Sequence, residues 1–112
     1  MTKVLFVDDE PYILDTYLRM LRGSKFECSV LSDSTQLFEL PNLKYVDIIV
    51  VDQQMPKITG SELLLKMKQQ FPNIKRVLVS ADIFKLEGSY TDLVLQKPLM
   101  KLELIKCLSS LK

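Results

Sequence analysis

The chain has 112 residues, the length of one ordinary domain and enough to bury a hydrophobic core. Apolar residues make up 47% and charged residues 26%, which is typical of a globular protein and excludes a disordered one. The 15 lysines and arginines and 14 acidic residues leave a net charge of +1, so no overall positive field attracts nucleic acid or an anionic membrane. The absence of histidine excludes a His-based catalytic triad and an HExxH zinc site.

The apolar runs are far too short to span a membrane, and the N-terminus does not have the pattern of a secretory signal. The two cysteines, Cys28 and Cys107, are far apart in the sequence and form no metal or redox motif. We therefore expect a cytoplasmic protein with buried thiols and no membrane contact.

Five short segments predict β-strands. Four are continuous runs of Val, Ile and Leu with few other residues, which is typical of strands buried on both faces of a parallel sheet. Glu27–Leu31 mixes polar and apolar residues and is expected at an edge. The other four strands are Val4–Val7, Ile48–Val51, Val77–Val79 and Leu93–Leu95.

Two helices are predicted in the first half of the chain. The first has apolar residues at helical spacing between Pro11 and Gly23, a proline-to-glycine order typical of helix ends. The second is shorter, is capped by Asp33 and must stop by Pro41.

The second half of the chain adds two more helices and one short crossover. Thr59–Glu62 is a capping box that opens a helix ending before Pro72, and an apolar stripe from Leu104 to Leu111 predicts the last helix. Residues 81–91 leave room for two helical turns at most, so we expect a shortened or irregular helix there. The alternation predicts an α/β fold, a doubly wound five-stranded parallel sheet with right-handed crossovers.

Reactive side chains stand where these strands end. In an open parallel sheet ligands bind at the carboxyl ends of the strands, and clustered carboxylates there repel each other unless a cation joins them. Oxygen ligands without nitrogen or sulfur favour Mg²⁺, and a nearby lysine and hydroxyl would suit a phosphoryl group. The residues at these ends are Asp8, Asp9, Asp52, Ser80 and Lys97.

From Lys3 to its end the chain resembles the receiver domain of two-component response regulators, with the flavodoxin-like strand order 2-1-3-4-5. The motifs that carry the resemblance are specific as an ordered set. They are Val7–Glu10, Val51–Pro56 with Gly60 after it, Val79–Ala81 and Gln96–Pro98.

The resemblance implies a role for each site residue. Asp52 would accept a phosphoryl group, and Mg²⁺ would be bound by Asp8, Asp9, Asp52 and the main-chain carbonyl of Gln54. Ser80 and Lys97 would bind the phosphoryl oxygens. Gln54 and Asp82 occupy positions that tune phosphoryl lifetime in the family, although ordinary polar loop residues are an equal alternative. A cis peptide is expected between Lys97 and Pro98.

Two features depart from the family pattern. Val94 stands where receivers that switch through their fourth helix carry an aromatic residue, and Tyr90 is too far upstream to replace it without a change of register. The interval between Ser80 and Lys97 is also several residues shorter than usual. We therefore expect phosphorylation to act by ordering residues 81–91, with Phe84 and Leu86 as the apolar contacts of a partner.

The expected function is a signalling domain, residues 1–112, that is phosphorylated by a sensor histidine kinase or a histidine phosphotransfer protein. It would act on a downstream protein or an output domain without binding nucleic acid itself, and it would catalyse only its own phosphorylation and dephosphorylation. The alternative is a degenerate receiver that serves as a constitutive interaction module. A flavin or nucleotide binder is disfavoured because the first β–α loop, Asp8–Pro11, is acidic and lacks glycine.

Overall fold

The computed structural model describes residues 1–82 and 90–111. The described residues form one parallel sheet in the order β2-β1-β3-β4-β5, which confirms the predicted fold class and strand order. Each predicted strand is present, and most are extended by one or two residues. The strands are β1 (Thr2–Val7), β2 (Phe26–Leu31), β3 (Ile48–Asp52), β4 (Lys75–Ser80) and β5 (Leu93–Gln96).

Three α-helices lie in the described part of the chain. Helix α1 (Pro11–Met20) starts on its proline, and Gly23 follows it with a φ of 79°, a conformation that favours glycine. Helix α2 (Gly60–Gln70) begins at the predicted capping box, and α3 (Lys101–Ser110) follows β5.

The sheet separates two hydrophobic cores because alternate residues of a strand point to opposite faces. Val4 and Phe6 of β1 face α1 and α3, whereas Leu5 and Val7 face α2. The Phe6 ring stacks on Tyr17 of α1, with 4.6 Å between the ring centroids. The helices therefore cover both faces of the central strands and leave the strand ends free to form a site.

The segment between β2 and β3 differs from the predicted helix. Ser34–Glu39 is a 3₁₀-helix, and a second short 3₁₀ turn, Leu43–Tyr45, follows it. Asp33 does cap the first of these, since its carboxylate accepts hydrogen bonds from the Thr35 N–H and hydroxyl. A proline so soon after the cap leaves too few residues for an α-helix, and the tighter 3₁₀ form suits such short segments.

The expected thiol burial is met at one of the two cysteines. Cys107 is buried on α3, and burial raises the pKa of its thiol to about 11. Cys28 is half-buried, with a pKa that burial also raises. Such thiols are weakly nucleophilic at neutral pH, in agreement with a structural role.

The short helix expected within residues 81–91 lies mostly outside the described residues. The predicted contacts of Phe84 and Leu86 lie outside them as well, and both expectations stay predictions.

Candidate functional site

The candidate site residues lie close together because the strand register places the ends of their strands at the same level. Val7 of β1 pairs with Val51 of β3, so Asp8 and Asp52 follow neighbouring positions at the same sheet edge. At the other side of β3, Asp52 pairs with Val79, the residue before Ser80. The sequence therefore folds into a rim of polar side chains at the carboxyl ends of the strands.

Lys97 forms ion pairs with two of the carboxylates. Its Nζ lies 2.8 Å from Asp52 Oδ1 and 3.9 Å from Asp8 Oδ2. The Asp52 and Asp8 side chains are only 5% and 2% exposed, whereas Lys97 is 29% exposed. The partly exposed ammonium group thus reaches two buried carboxylates.

The carboxylates of Asp8, Asp9 and Asp52 each offer an oxygen, and these three atoms lie within 4.8 Å of one another. One oxygen of Asp8 accepts the Glu10 N–H at 3.0 Å. The other, Oδ2, is buried without a hydrogen-bond partner in the described part of the chain. A buried, unsatisfied carboxylate oxygen beside two other acids fits a hard divalent cation such as Mg²⁺.

The pKa values reflect this crowding. Burial raises the pKa of the Asp8 carboxyl from 3.8 to about 6, and the charge of Asp52 adds to the shift. Burial also raises the pKa of Asp52, although Lys97 opposes it. Burial acts to lower the pKa of the Lys97 ammonium, but its pairs with Asp52 and Asp8 outweigh this and the pKa is raised. A bound cation would relieve the cost of keeping the carboxylates charged.

Ser80 is buried at the end of β4, and its hydroxyl is engaged with the main chain two residues on. Its Oγ donates to the Asp82 carbonyl and accepts from the Asp82 N–H, both at 3.2 Å. The Ser80 hydroxyl proton is therefore occupied by the Asp82 carbonyl in this structure. Gln54 and Asp82 are exposed, and the Lys97–Pro98 peptide is cis.

Helix α2 begins directly against β3, the strand that ends in Asp52. A Cβ at Gly60 would lie 2.5 Å from the Asp52 carbonyl oxygen and 2.7 Å from a Leu78 side-chain carbon. No side chain larger than hydrogen fits between the helix and the strand without a shift of one of them. Gly60 therefore permits the close approach of α2 to Asp52.

All four amides at the start of α2 are satisfied internally. The carbonyl of Gln53 accepts the Gly60 N–H, and its side-chain Oε1 accepts the Ser61 N–H. The Thr59 hydroxyl accepts the Glu62 N–H, and the Thr59 carbonyl accepts the Leu63 N–H. The capping box was readable from the sequence, whereas the part of Gln53 was missed because its partner is eight residues away.

Arg76, which is buried at the start of β4, has contacts that the sequence pattern does not indicate. Its guanidinium donates to the carbonyls of Tyr90, Pro72 and Ile74 and lies 3.8 Å from the Asp92 carboxylate. Asp92 in turn accepts the Arg76 N–H at 2.8 Å. Arg76 thus fastens the residues before β5 to β4.

The structure shows contacts of Tyr90 that the sequence pattern does not indicate. Both Tyr90 and Val94 are half-buried and pack against the core on the α2 side of the sheet. The Tyr90 hydroxyl donates to Ser61 Oγ at 2.9 Å, so the aromatic residue reaches α2 from its upstream position.

The family model of the response regulator receiver domain matches residues 4–108. The chain belongs to this family. The matched range includes every residue of the candidate site described above.

Curated relatives of the receiver include the putative two-component response regulator ARR21 of Arabidopsis thaliana, 31% identical over 77% of this chain and 14% of that protein. The heme response regulator HssR of Staphylococcus saprophyticus is 35% identical over 63% of this chain and 32% of that protein. The receiver spans less than a third of the length of these relatives. Others are transcriptional regulatory proteins, such as HoxA of Cupriavidus necator, so the absence of nucleic-acid binding stays a prediction.

Solved structures agree on the fold. The receiver domain of the Francisella response regulator 1452 has a TM-score of 0.83 at 27% identity, covering 99% of this chain and 96% of that one. The response regulator TrrA of Thermotoga maritima, determined with Mg²⁺ and BeF, has a TM-score of 0.89 at 23% identity, covering 100% of both chains. Among the helices that the structure describes, none is long and apolar enough to cross a membrane.

Proposed function

We propose that this receiver accepts a phosphoryl group on Asp52 in a Mg²⁺-dependent reaction. The observation that carries the proposal is the position of the Asp52 carboxylate. It lies buried at the end of the central strand, 2.8 Å from the Lys97 ammonium and within 4.8 Å of the oxygens of Asp8 and Asp9. A nucleophile with an ammonium and a metal-binding acid pair around it suits phosphoryl transfer.

In the proposed reaction a carboxylate oxygen of Asp52 forms a bond to phosphorus. The bond from phosphorus to the donor's leaving group breaks, and the leaving group keeps the electron pair. Mg²⁺, held by Asp8, Asp9, Asp52 and the Gln54 carbonyl, would neutralise charge on the phosphoryl oxygens.

The remaining residues have supporting roles in this proposal. Lys97 exchanges part of its ion pair with Asp52 for a phosphoryl oxygen, and so it compensates the charge that the reaction adds to the pocket. Ser80 turns its hydroxyl from the Asp82 carbonyl to another phosphoryl oxygen. Gln54 and Asp82 lie at the rim, where they influence the access of water and hence phosphoryl lifetime.

The proposed donor is the phosphohistidine of a sensor kinase or of a histidine phosphotransfer protein. This receiver domain has no histidine of its own, so the donor's imidazole must come from outside the domain. The phosphorylated domain would then act on a downstream protein or an output domain in the cytoplasm.

Intact-mass analysis after incubation with acetyl phosphate tests the proposal. We expect one added phosphoryl group in Mg²⁺ and none in chelator, and none for Asp52→Asn. Asp15→Asn, an exposed acid on α1, is the matched control and should label like the wild type. A folded wild-type protein that takes up no phosphoryl group would instead favour the constitutive interaction module.

A further inference from the structure

A chain of side-chain hydrogen bonds joins the residue after Asp52 to the residues before β5. Gln53 Oε1 accepts hydrogen bonds from the Ser61 N–H at 2.8 Å and from the Ser61 hydroxyl at 2.7 Å. The Ser61 hydroxyl accepts a third, from the Tyr90 hydroxyl, at 2.9 Å. Each of these side chains is half-buried, so the bonds are partly protected from water.

The main chain of Gln53 is held on both sides. Its N–H donates to the Val79 carbonyl at 2.9 Å, and its carbonyl accepts the Gly60 N–H at 3.1 Å. The side chain and the main chain of Gln53 are therefore both tied to neighbouring elements. Gln53 lies between Asp52 and Gln54 in the chain. The orientation of its main chain therefore determines the positions of both neighbours.

Tyr90 is itself fixed by contacts that do not involve its hydroxyl. Its ring packs against the hydrophobic core, and its carbonyl accepts a hydrogen bond from Arg76 Nε at 2.7 Å. Its hydroxyl is thus delivered to Ser61 from a position that packing and a buried guanidinium determine. This makes the Tyr90–Ser61 bond a support for α2 and Gln53.

We propose that Tyr90, Ser61 and Gln53 are positioning residues for the Asp52 site. The Tyr90 hydroxyl fixes the Ser61 hydroxyl, Ser61 fixes the Gln53 amide, and Gln53 fixes the main chain that carries Asp52 and the Gln54 carbonyl. This inference rests on the proposed function, because its consequence is a change in how well the site takes up Mg²⁺. Because coupling between two sites is reciprocal, Mg²⁺ binding at the Asp52 site also affects the hydrogen bond of Tyr90, which precedes β5.

The experiment measures phosphoryl uptake from acetyl phosphate as a function of Mg²⁺ concentration, together with the melting temperature in chelator. Tyr90→Phe removes one hydroxyl and keeps the packed ring, and Ser61→Ala removes the central hydroxyl. Tyr45→Phe, which alters an exposed tyrosine in the second 3₁₀ turn, is the matched control. Ser61→Thr keeps a hydroxyl at the centre of the chain of bonds, so its Mg²⁺ concentration at half-saturation should be close to that of the wild type.

For Tyr90→Phe and for Ser61→Ala we expect the Mg²⁺ concentration at half-saturation to rise by about 2- to 30-fold, the range of mutations that modulate coupling between sites. The double variant should be no worse than the more affected single variant, since either change breaks the same chain of bonds. Tyr45→Phe should match the wild type. A lower melting temperature with unchanged half-saturation would mean a purely structural role and would overturn the inference.

Failure of the proposed function is visible separately, in the wild type. If the wild-type protein takes up no phosphoryl group at any Mg²⁺ concentration, the function and the inference both fall. If the wild type is active and neither variant differs from it, the inference alone is wrong. A readout that needs no activity is the NMR spectrum in chelator. There Tyr90→Phe should shift the Gln53 side-chain amide and the Ser61 amide, whereas unshifted signals would also overturn the inference.

Discussion

Replacement of Asp8 by asparagine should stabilise the receiver when no metal is present. Asp8 is 1% exposed, and one of its oxygens is buried without a hydrogen bond among the described residues. Asparagine has the same shape and keeps an oxygen that can accept the Glu10 N–H. The substitution therefore removes the buried charge while preserving the local hydrogen bond.

The magnitude follows from the pKa of Asp8, which burial raises from 3.8 to about 6. Each unit corresponds to about 1.4 kcal/mol, so keeping Asp8 ionised in the folded state costs about 3 kcal/mol at most. The raised pKa already contains the favourable effect of the Lys97 ammonium, which lies 3.9 Å from Asp8 Oδ2. We expect Asp8→Asn to raise the free energy of unfolding by about 1–3 kcal/mol in chelator at neutral pH.

The sign of the pH dependence follows from the raised pKa. Between pH 3.8 and about 6, Asp8 binds more protons in the folded protein than in the unfolded chain, so its contribution to stability falls as the pH rises through this window. The asparagine variant lacks this loss. Its advantage should therefore be greatest above about pH 6 and should shrink as the pH falls towards 4.

Urea denaturation in chelator at about pH 7.5 and about pH 4.5 measures both effects. Asp15→Asn, at an exposed position on α1, is the control and should differ little from the wild type at either pH. The reasoning is refuted if Asp8→Asn is no more stable than the wild type at the higher pH. It is also refuted if the advantage is equal at the two pH values.

Three further predictions concern the metal, the close approach of α2 to β3 and the buried Arg76. Mg²⁺ at ten to a hundred times its Kd should stabilise the wild type by about 1–3 kcal/mol, and Asp9→Ala should abolish this gain in thermal melts. Equal melting temperatures of the wild type in Mg²⁺ and in chelator would exclude the proposed metal site. Gly60→Ala should lower the free energy of unfolding in urea by about 1–3 kcal/mol and reduce phosphoryl uptake, because the new methyl group overlaps the Asp52 carbonyl. A neutral effect would contradict the close approach of α2 to β3. Arg76→Met should cost about 2–4 kcal/mol because the carbonyls of Tyr90, Pro72 and Ile74 lose their guanidinium donor and Asp92 loses its ion pair. Unchanged stability would contradict this role of the guanidinium.

The sequence predicted the sheet and the acidic rim well for a physical reason. Continuous runs such as Ile48–Val51 occur where both faces of a strand are buried, and the polar residue after such a run marks the strand end. Asp8, Asp52 and Lys97 could therefore be placed at one edge before their distances were known. Their mutual geometry also depends on the register of β1, β3 and β4, which the sequence does not state.

Other features depend on contacts between distant residues. Gln53 reads as a loop residue, and its hydrogen bonds to Ser61 exist only because α2 folds back onto β3. In the sequence Arg76 stands directly before an apolar run, yet its side chain contacts residues that precede both β4 and β5. The 3₁₀ form of Ser34–Glu39 was missed because capping signals predict where a helix begins but not which hydrogen-bond spacing it adopts.

Localisation of the phosphoryl group tests the central claim most directly. An acyl phosphate on an aspartate can be reduced with borohydride to a stable alcohol, which marks the modified residue for peptide mapping. After treatment with acetyl phosphate and Mg²⁺, we predict that the mark lies on Asp52 in the peptide that joins β3 to α2, and that it is absent in chelator. A mark on Asp8, Asp9 or any other residue, or no mark in a protein that is folded and loaded with Mg²⁺, would contradict the assignment of Asp52 as the phosphoryl acceptor.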